Sequence, residues 1–303
     1  MVDRRTTARG SLIGDPGLYG PTSQAWRLNR EATLLLGAGP RALLLQVAHP
    51  LIAEGVDQHS DFREDPWRRL VATLRSYLTI VYGSGPAARA EIRRLNALHR
   101  LIEGPVRDPD ARSAHGPRYR ARDPELALWV HATLIDSTLA AFDAWIEPAS
   151  RADRARFYAE TLPIARAFGI PAALLPADID AFDAYVAGML AAEGPIRVSP
   201  TARELSRFIL RPALGRALRW DAAVAGLLDR VPRSLYAWTL WPAVALVPAR
   251  VRAEYGITWG VPERALSAWL GAGIRAWRPL IPPSIRWMPQ ALVADRRVGA
   301  GRQ

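Results

Sequence analysis

Five histidines, His49, His59, His99, His115 and His131, are the residues best able to hold a borderline metal here, because the chain has no cysteine. The missing thiols exclude disulfide frameworks, thiolate metal sites, cysteine nucleophiles and iron–sulfur clusters. Lysine is absent too, and all 40 basic residues are arginine. That removes a Walker-type phosphate lysine, a Schiff base and a lysine general base. The histidines form no HxH, HxxH or HExxH pattern, and Glu-x-x-His does not occur. Spacing therefore supports neither a bundle-type di-iron carboxylate site nor a three-ligand zinc hydrolase. A cofactor needing one protein ligand fits better. Haem is such a cofactor, since one imidazole on an apolar helix face holds the iron while packed helices bury the macrocycle.

Ile92, Leu95, His99 and Ile102 recur at helical spacing, which puts His99 inside an apolar stripe. His131 sits similarly among Ala127, Val130, Leu134 and Thr138. His49, just before Pro50, reads as a cap or turn residue, and His59 and His115 have polar neighbours. Each of these histidines also reads as an ordinary satisfied side chain. Arg69 and Thr73 are one turn apart on one helix face, and Tyr77 continues the line. Beside it, Leu70, Val71, Leu74, Leu78 and Val81 form the expected core stripe. The polar line is a solvated face or, alternatively, a guanidinium and a hydroxyl aimed into a pocket, toward a bound oxygen species or a haem propionate. Glu54 lies in a short apolar segment, where burial would raise its pKa and make it a base. Position alone favours the surface for it.

The elements that must position these groups read as helices nearly throughout. One is expected from Ser23 through Leu36, broken by Gly37-Ala38-Gly39-Pro40, with a short helix following to about Ala48. Asp65-Pro66 opens the next, ending at Gly83, and Pro86 opens one that runs to Gly104. Asp123-Pro124 starts a helix to about Pro148, Ser150 caps another that stops at Gly169, and Asp178 or Asp180 and Ser199-Pro200 open two more. Strand signatures and fixed-period repeats are missing. The fold class is all-α, a single multi-helix domain over 15–297, between a disordered tail at 1–14 and a short tail at 298–303. From about Leu235 the chain is less regular and rich in proline and tryptophan. Trp238, Trp241, Trp259, Trp269, Trp277 and Trp287 supply six of the 11 tryptophans. They read first as a lid closing the core, and second as an interfacial belt touching membrane or a lipidic substrate.

Half of the 303 residues are apolar and 23% are charged, which excludes a disordered polypeptide. The net charge of +11 comes from arginines spread along the chain rather than gathered on one face, so no nucleic-acid partner is expected. Contact with anionic lipid suits the charge better. No signal peptide is apparent, and the longest apolar stretch, Leu235 to Val247, is too short to span a bilayer. The expectation is a cytoplasmic protein with room for peripheral membrane contact.

The ordered run of motifs resembles the MpaB-type oxygenases. It comprises Trp26, Arg30-Glu31, Leu34-Leu35-Leu36-Gly37, Arg41-Ala42-Leu43-Leu44-Leu45-Gln46, His49-Pro50 and Asp57-Gln58-His59-Ser60-Asp61-Phe62. It goes on through Asp65-Pro66, Arg69, Thr73, His99, Gly104, Tyr119-Arg120-Ala121 and Asp123-Pro124. Trp129-Val130-His131, Asp136-Ser137, Gly169-Ile170-Pro171, Tyr255-Gly256 and Trp259 complete it. The family includes latex-clearing rubber oxygenases. The resemblance implies a helical fold, a b-type haem on one histidine, and cleavage of C=C bonds in isoprenoid chains with O2. Carried over by position, it makes His99 the iron ligand, Arg69 and Thr73 the distal functional pair, and Glu54 the base; His131 is added as a further cofactor contact. The rubber-cleaving branch has a lysine immediately before the threonine, where this chain has Ala72. That departure argues against polyisoprene as the substrate. The expected function is a haem b-dependent oxygenase acting on an apolar, isoprenoid or unsaturated lipid-like molecule. The alternatives are a haem carrier or sensor without turnover, and a cofactor-free helical scaffold on a membrane.

Overall fold

The long helix α2 (Leu34–Val47) lies along α7 (Pro124–Trp145), and the rest of the molecule is arranged around this pair. The computed structural model describes residues 14–60, 66–210 and 242–299. Before α2 comes the short α1 (Gln24–Asn29), and after it α3 (Pro50–His59). Helices α4 (Pro66–Tyr82) and α5 (Gly85–His99) pack as a hairpin joined at Ser84, whose hydroxyl caps α5. A small antiparallel sheet of β1 (Glu103–Pro105) and β2 (Arg118–Arg120) pairs Gly104 with Tyr119 and brackets α6 (Pro109–His115). Then follow α8 (Arg151–Ala167), α9 (Ile179–Leu190) and α10 (Pro200–Leu210). The C-terminal part holds α11 (Ala249–Glu254), α12 (Val261–Trp277), α13 (Pro283–Arg286) and α14 (Pro289–Gly299). The class is all-α, as the sequence implies. Trp238 and Trp241, the Asp65 cap and most of the two predicted tails lie outside the described residues.

The helix break predicted at 37–40 falls elsewhere. Helix α2 runs through Pro40, and Gly37 serves packing: a Cβ there would lie 2.1 Å from the Trp145 ring. Pro40 forfeits one bond to the Leu36 carbonyl, which sits at an exposed turn. The true break is at Arg30–Thr33, where the backbone leaves the helix to pair with the C-terminal segment. Ala32 N–H donates to Arg286 O (2.8 Å), and Met288 N–H donates to Arg30 O (2.7 Å). The helix predicted to reach Gly104 stops at His99 instead, because Glu103 and Gly104 are taken by the sheet.

The main core holds Leu44, Leu45, Trp129, Ile135, Phe142, Phe182 and Leu205, all nearly free of solvent contact. Each such side chain contributes about 1.5–3 kcal/mol by its burial. Polar ties fix the register within this core. Trp129 Nε1 donates to Leu45 O (3.0 Å), and Tyr255 Oη donates to Leu44 O (2.6 Å). Buried Arg41 donates to Leu246 O and Ser137 Oγ and pairs with Asp136 at 2.6 Å. A second cluster packs α14 against α1 and α4 through Trp26, Leu78, Tyr82, Met288 and Ala291. Among the described residues no single helix is long and apolar enough to cross a membrane. Only the bent pair α2–α3, kinked by 101°, passes on length and composition, and it is largely buried.

Candidate functional site

His99 ends α5, half-buried, in the apolar stripe with Ile92 and Leu95. Burial lowers its pKa first, and the guanidinium charges of Arg69 and Arg94 lower it further. The imidazole is therefore neutral near pH 7, the form that ligates metal. Arg69 stands on α4, the partner helix of the hairpin, near enough for its charge to act on the ring.

His131 stands on α7, its Nε2 buried with no hydrogen-bond partner and its pKa pushed down to about 4 by desolvation. A buried orphan ring nitrogen is costly unless something fills its lone pair or accepts its proton. Two ties link the α4–α5 hairpin to α7 and to α8 beside it. At one end Tyr77 of α4 donates to Asn29 Oδ1 (2.7 Å) and meets Thr138 of α7. At the other, Asn96 of α5 donates to the carbonyl of Ala167 (2.8 Å), at the end of α8, which packs on α7. Close backbone contact of α4 or α5 with α7 is slight among the described residues. The first half of α4 is accordingly open. Val71 is 43% exposed and Leu70 and Leu74 are half-buried, so only Leu78 and Val81 of the predicted core stripe are truly core.

Thr73 is exposed, and its hydroxyl donates to the Arg69 carbonyl one turn back (3.0 Å). Glu54 is buried at 2% exposure, against the surface position expected of it. Its Oε1 accepts from the backbone N–H groups of Arg107 and Asp108 (3.0 and 2.9 Å), and its Oε2 from Gln58 (2.7 Å). The carboxylate faces the start of α6, where peptide dipoles favour a negative charge. It is not part of the His99–Arg69 pair. Nearby, His59 Nε2 meets Glu103 O at 3.0 Å. His49 caps α3 as expected, accepting through Nδ1 from Leu51 N–H, with its ring 5.4 Å from that of His115. No three His, Asp or Glu side chains converge to cage a metal ion among the described residues.

Sequence spacing gave no sign of a cluster at the C-terminal end. Trp269 (71%) and Trp277 (67%) stand exposed, so the lid reading fails for them; Trp287 instead lies under the Arg30 guanidinium, 4.2 Å from its ring centre. Glu31, buried, pairs with Arg278 (3.1 Å) and Arg286 (3.7 Å). The signal for this cluster was long-range backbone pairing between 30–32 and 286–288, which no local pattern announces.

Residues 26–276 match the family described as ER-bound oxygenase mpaB/B′/rubber oxygenase, catalytic domain. No curated protein and no solved structure matches.

Proposed function

The chain belongs to that oxygenase catalytic-domain family, and from this premise we propose a haem b-dependent oxygenase acting on an apolar, unsaturated isoprenoid- or lipid-like substrate with dioxygen. The observation that carries the haem assignment is His99, neutral and half-buried, with the Arg69 cation acting on it across the α4–α5 hairpin. The donor set suits haem, which needs one imidazole where a caged ion needs three or more ligands. The orphaned Nε2 of His131 marks a second place where a buried group is missing a partner.

In this reading His99 is the iron ligand, and His131 is a further polar contact to the cofactor. Bound haem supplies the redox chemistry with dioxygen. The remaining work falls to the chain itself. Arg69 offers fixed positive charge and N–H donors to oxygen-bearing groups. Leu70, Val71 and Leu74 give an apolar substrate a dry surface along α4. Thr73 would have to turn its hydroxyl from the Arg69 carbonyl to take part. Glu54 is assigned to anchoring α6 rather than to proton removal, since three donors already occupy its oxygens.

Purified protein supplied with haem should show a Soret band that His99→Ala abolishes or displaces and Arg69→Gln leaves in place. A band untouched by His99→Ala would overturn the ligand assignment. Oxygen uptake with a long-chain alkene is the second reading of the same sample. Colour without uptake would indicate a carrier or sensor, and colourless protein a scaffold.

A further inference from the structure

At the junction of α1, the end of α7 and the C-terminal segment, a cavity of about 150 Å³ is lined by four arginines, Arg27, Arg30, Arg278 and Arg286. Two glutamates, Glu31 and Glu147, with Phe142 and Trp287, complete the wall. Both glutamates already have cationic partners, Glu31 in Arg278 and Arg286, and Glu147 in Arg27. Three buried donors on the wall have no acceptor: Arg30 Nε, Arg286 Nε and Trp287 Nε1. Every one is an N–H group, so what is missing is an acceptor; Asp153 on Arg27 and Asp295 on Arg30 bring the carboxylates level with the arginines, so it is the orphan donors, two of them on guanidinium groups, that call for it. Orphan donors on arginines are the expensive kind, because charge-assisted hydrogen bonds are the strong ones.

A groove of about 330 Å³ adjoins the cavity and shares Glu31, Arg278 and Arg286 with it. Apart from Thr33, the rest of the groove is apolar: Trp269, Leu270, Gly273, Ile274, Trp277 and Ile281. Residues 269, 270, 273, 274 and 277 form one face of α12. A Cβ at Gly273 would meet nothing within 4 Å, which leaves the floor of the groove open. Orphan guanidinium and indole donors beside an apolar groove match a molecule with one anionic acceptor head and one apolar chain.

We propose that this is a binding site for a free single-chain anionic amphiphile, its carboxylate or phosphate head among Arg30, Arg286 and Trp287 and its chain along α12. The site is separate from the His99 region. Phe142 stands 11 positions beyond His131 on α7, about 16 Å along the helix axis. It does not depend on the haem assignment and is tested without it.

Calorimetric titration of the full-length protein with dodecanoate, kept below its micelle concentration, should show one site per chain. Dodecanol, which lacks the charge, and acetate, which lacks the chain, should each bind at least about tenfold more weakly. Arg30→Gln should lower dodecanoate affinity by about tenfold or more, and Trp287→Phe, which keeps the ring and removes the N–H, by a smaller factor. Gly273→Leu should block the chain while leaving the fold intact, since leucine favours helix over glycine. Dodecanoate binding unchanged in both Arg30→Gln and Gly273→Leu would overturn the proposal. So would binding to anionic phosphatidylglycerol vesicles with none to the monomeric amphiphile, which would make the face a membrane contact. A dimer in light scattering that Gly273→Leu disrupts, with no dodecanoate binding, would give the groove to a second copy and overturn it equally.

Discussion

Gly37 and Trp145 meet face to face where α2 crosses the end of α7, with no room between them for a methyl group: a Cβ on Gly37 would lie 2.1 Å from one indole carbon and 2.3 Å from the next. Close approach here seats the two central helices on each other, and with them the α7 face that carries His131. Gly37→Ala should therefore destabilise by about 1–3 kcal/mol through overpacking. Gly39 is the control, because its Cβ would meet nothing within 4 Å. Gly39→Ala should stabilise by up to about 1 kcal/mol through helix propensity. Urea unfolding of the two variants checks the pair, and equal effects would show that the glycines act only through backbone freedom.

Glu54 gives the second prediction. Glu54→Ala strands two part-buried backbone N–H groups, of Arg107 and Asp108, and should cost about 1–3 kcal/mol. Glu54→Gln keeps one oxygen for those amides and should cost less. If the residue anchors α6, turnover by folded Glu54→Gln stays within a few-fold of the parent. A loss of turnover of a hundredfold or more at unchanged stability would restore the base.

What could be read from the sequence divides along physical lines. Caps and helix starts were legible because they are local. Ser23, Ser150 and Asp178 all cap through their own side chains, and Asp123 does so ahead of Pro124. His99 was legible as the member of an apolar stripe. The role of Gly37 was not, since a glycine that breaks a helix and a glycine that admits a neighbour's indole look alike until the neighbour is known. The same holds for Glu54, whose three donors come from positions 58, 107 and 108. Exposure of Val71 and Trp269 was equally hidden, because helical periodicity says which residues share a face and not what covers it.

The third prediction concerns acid. Burial, and then the neighbouring His115, push the His49 pKa down from 6.5 to about 4. Its Nδ1 accepts the Leu51 N–H bond that caps α3. Below pH 6.5 the unfolded chain takes up a proton that folded His49 refuses, so stability conferred by the neutral ring is present above 6.5 and lost on the way to about 4. The slope from this one group is at most about 1.4 kcal/mol per pH unit. His49→Asn keeps a capping acceptor without the titration. It should match the parent at pH 8 and melt with a flatter pH dependence between 6.5 and 4; an unchanged profile would assign the acid sensitivity to other groups.

Arg69 yields the prediction closest to function. Its guanidinium, on the neighbouring helix, helps lower the His99 pKa. If it steadies charge that develops during oxygen chemistry, Arg69→Gln should keep the fold and the Soret band. Turnover should then drop by about 10²–10³, the usual scale for losing one preorganised donor. Arg69→Lys restores charge without the planar fork and should recover only part of that loss. Melting temperature, haem content and oxygen uptake on the same three samples separate the cases. Haem lost along with activity in Arg69→Gln would make Arg69 a cofactor clamp. Activity retained within a few-fold would remove it from the oxygen chemistry.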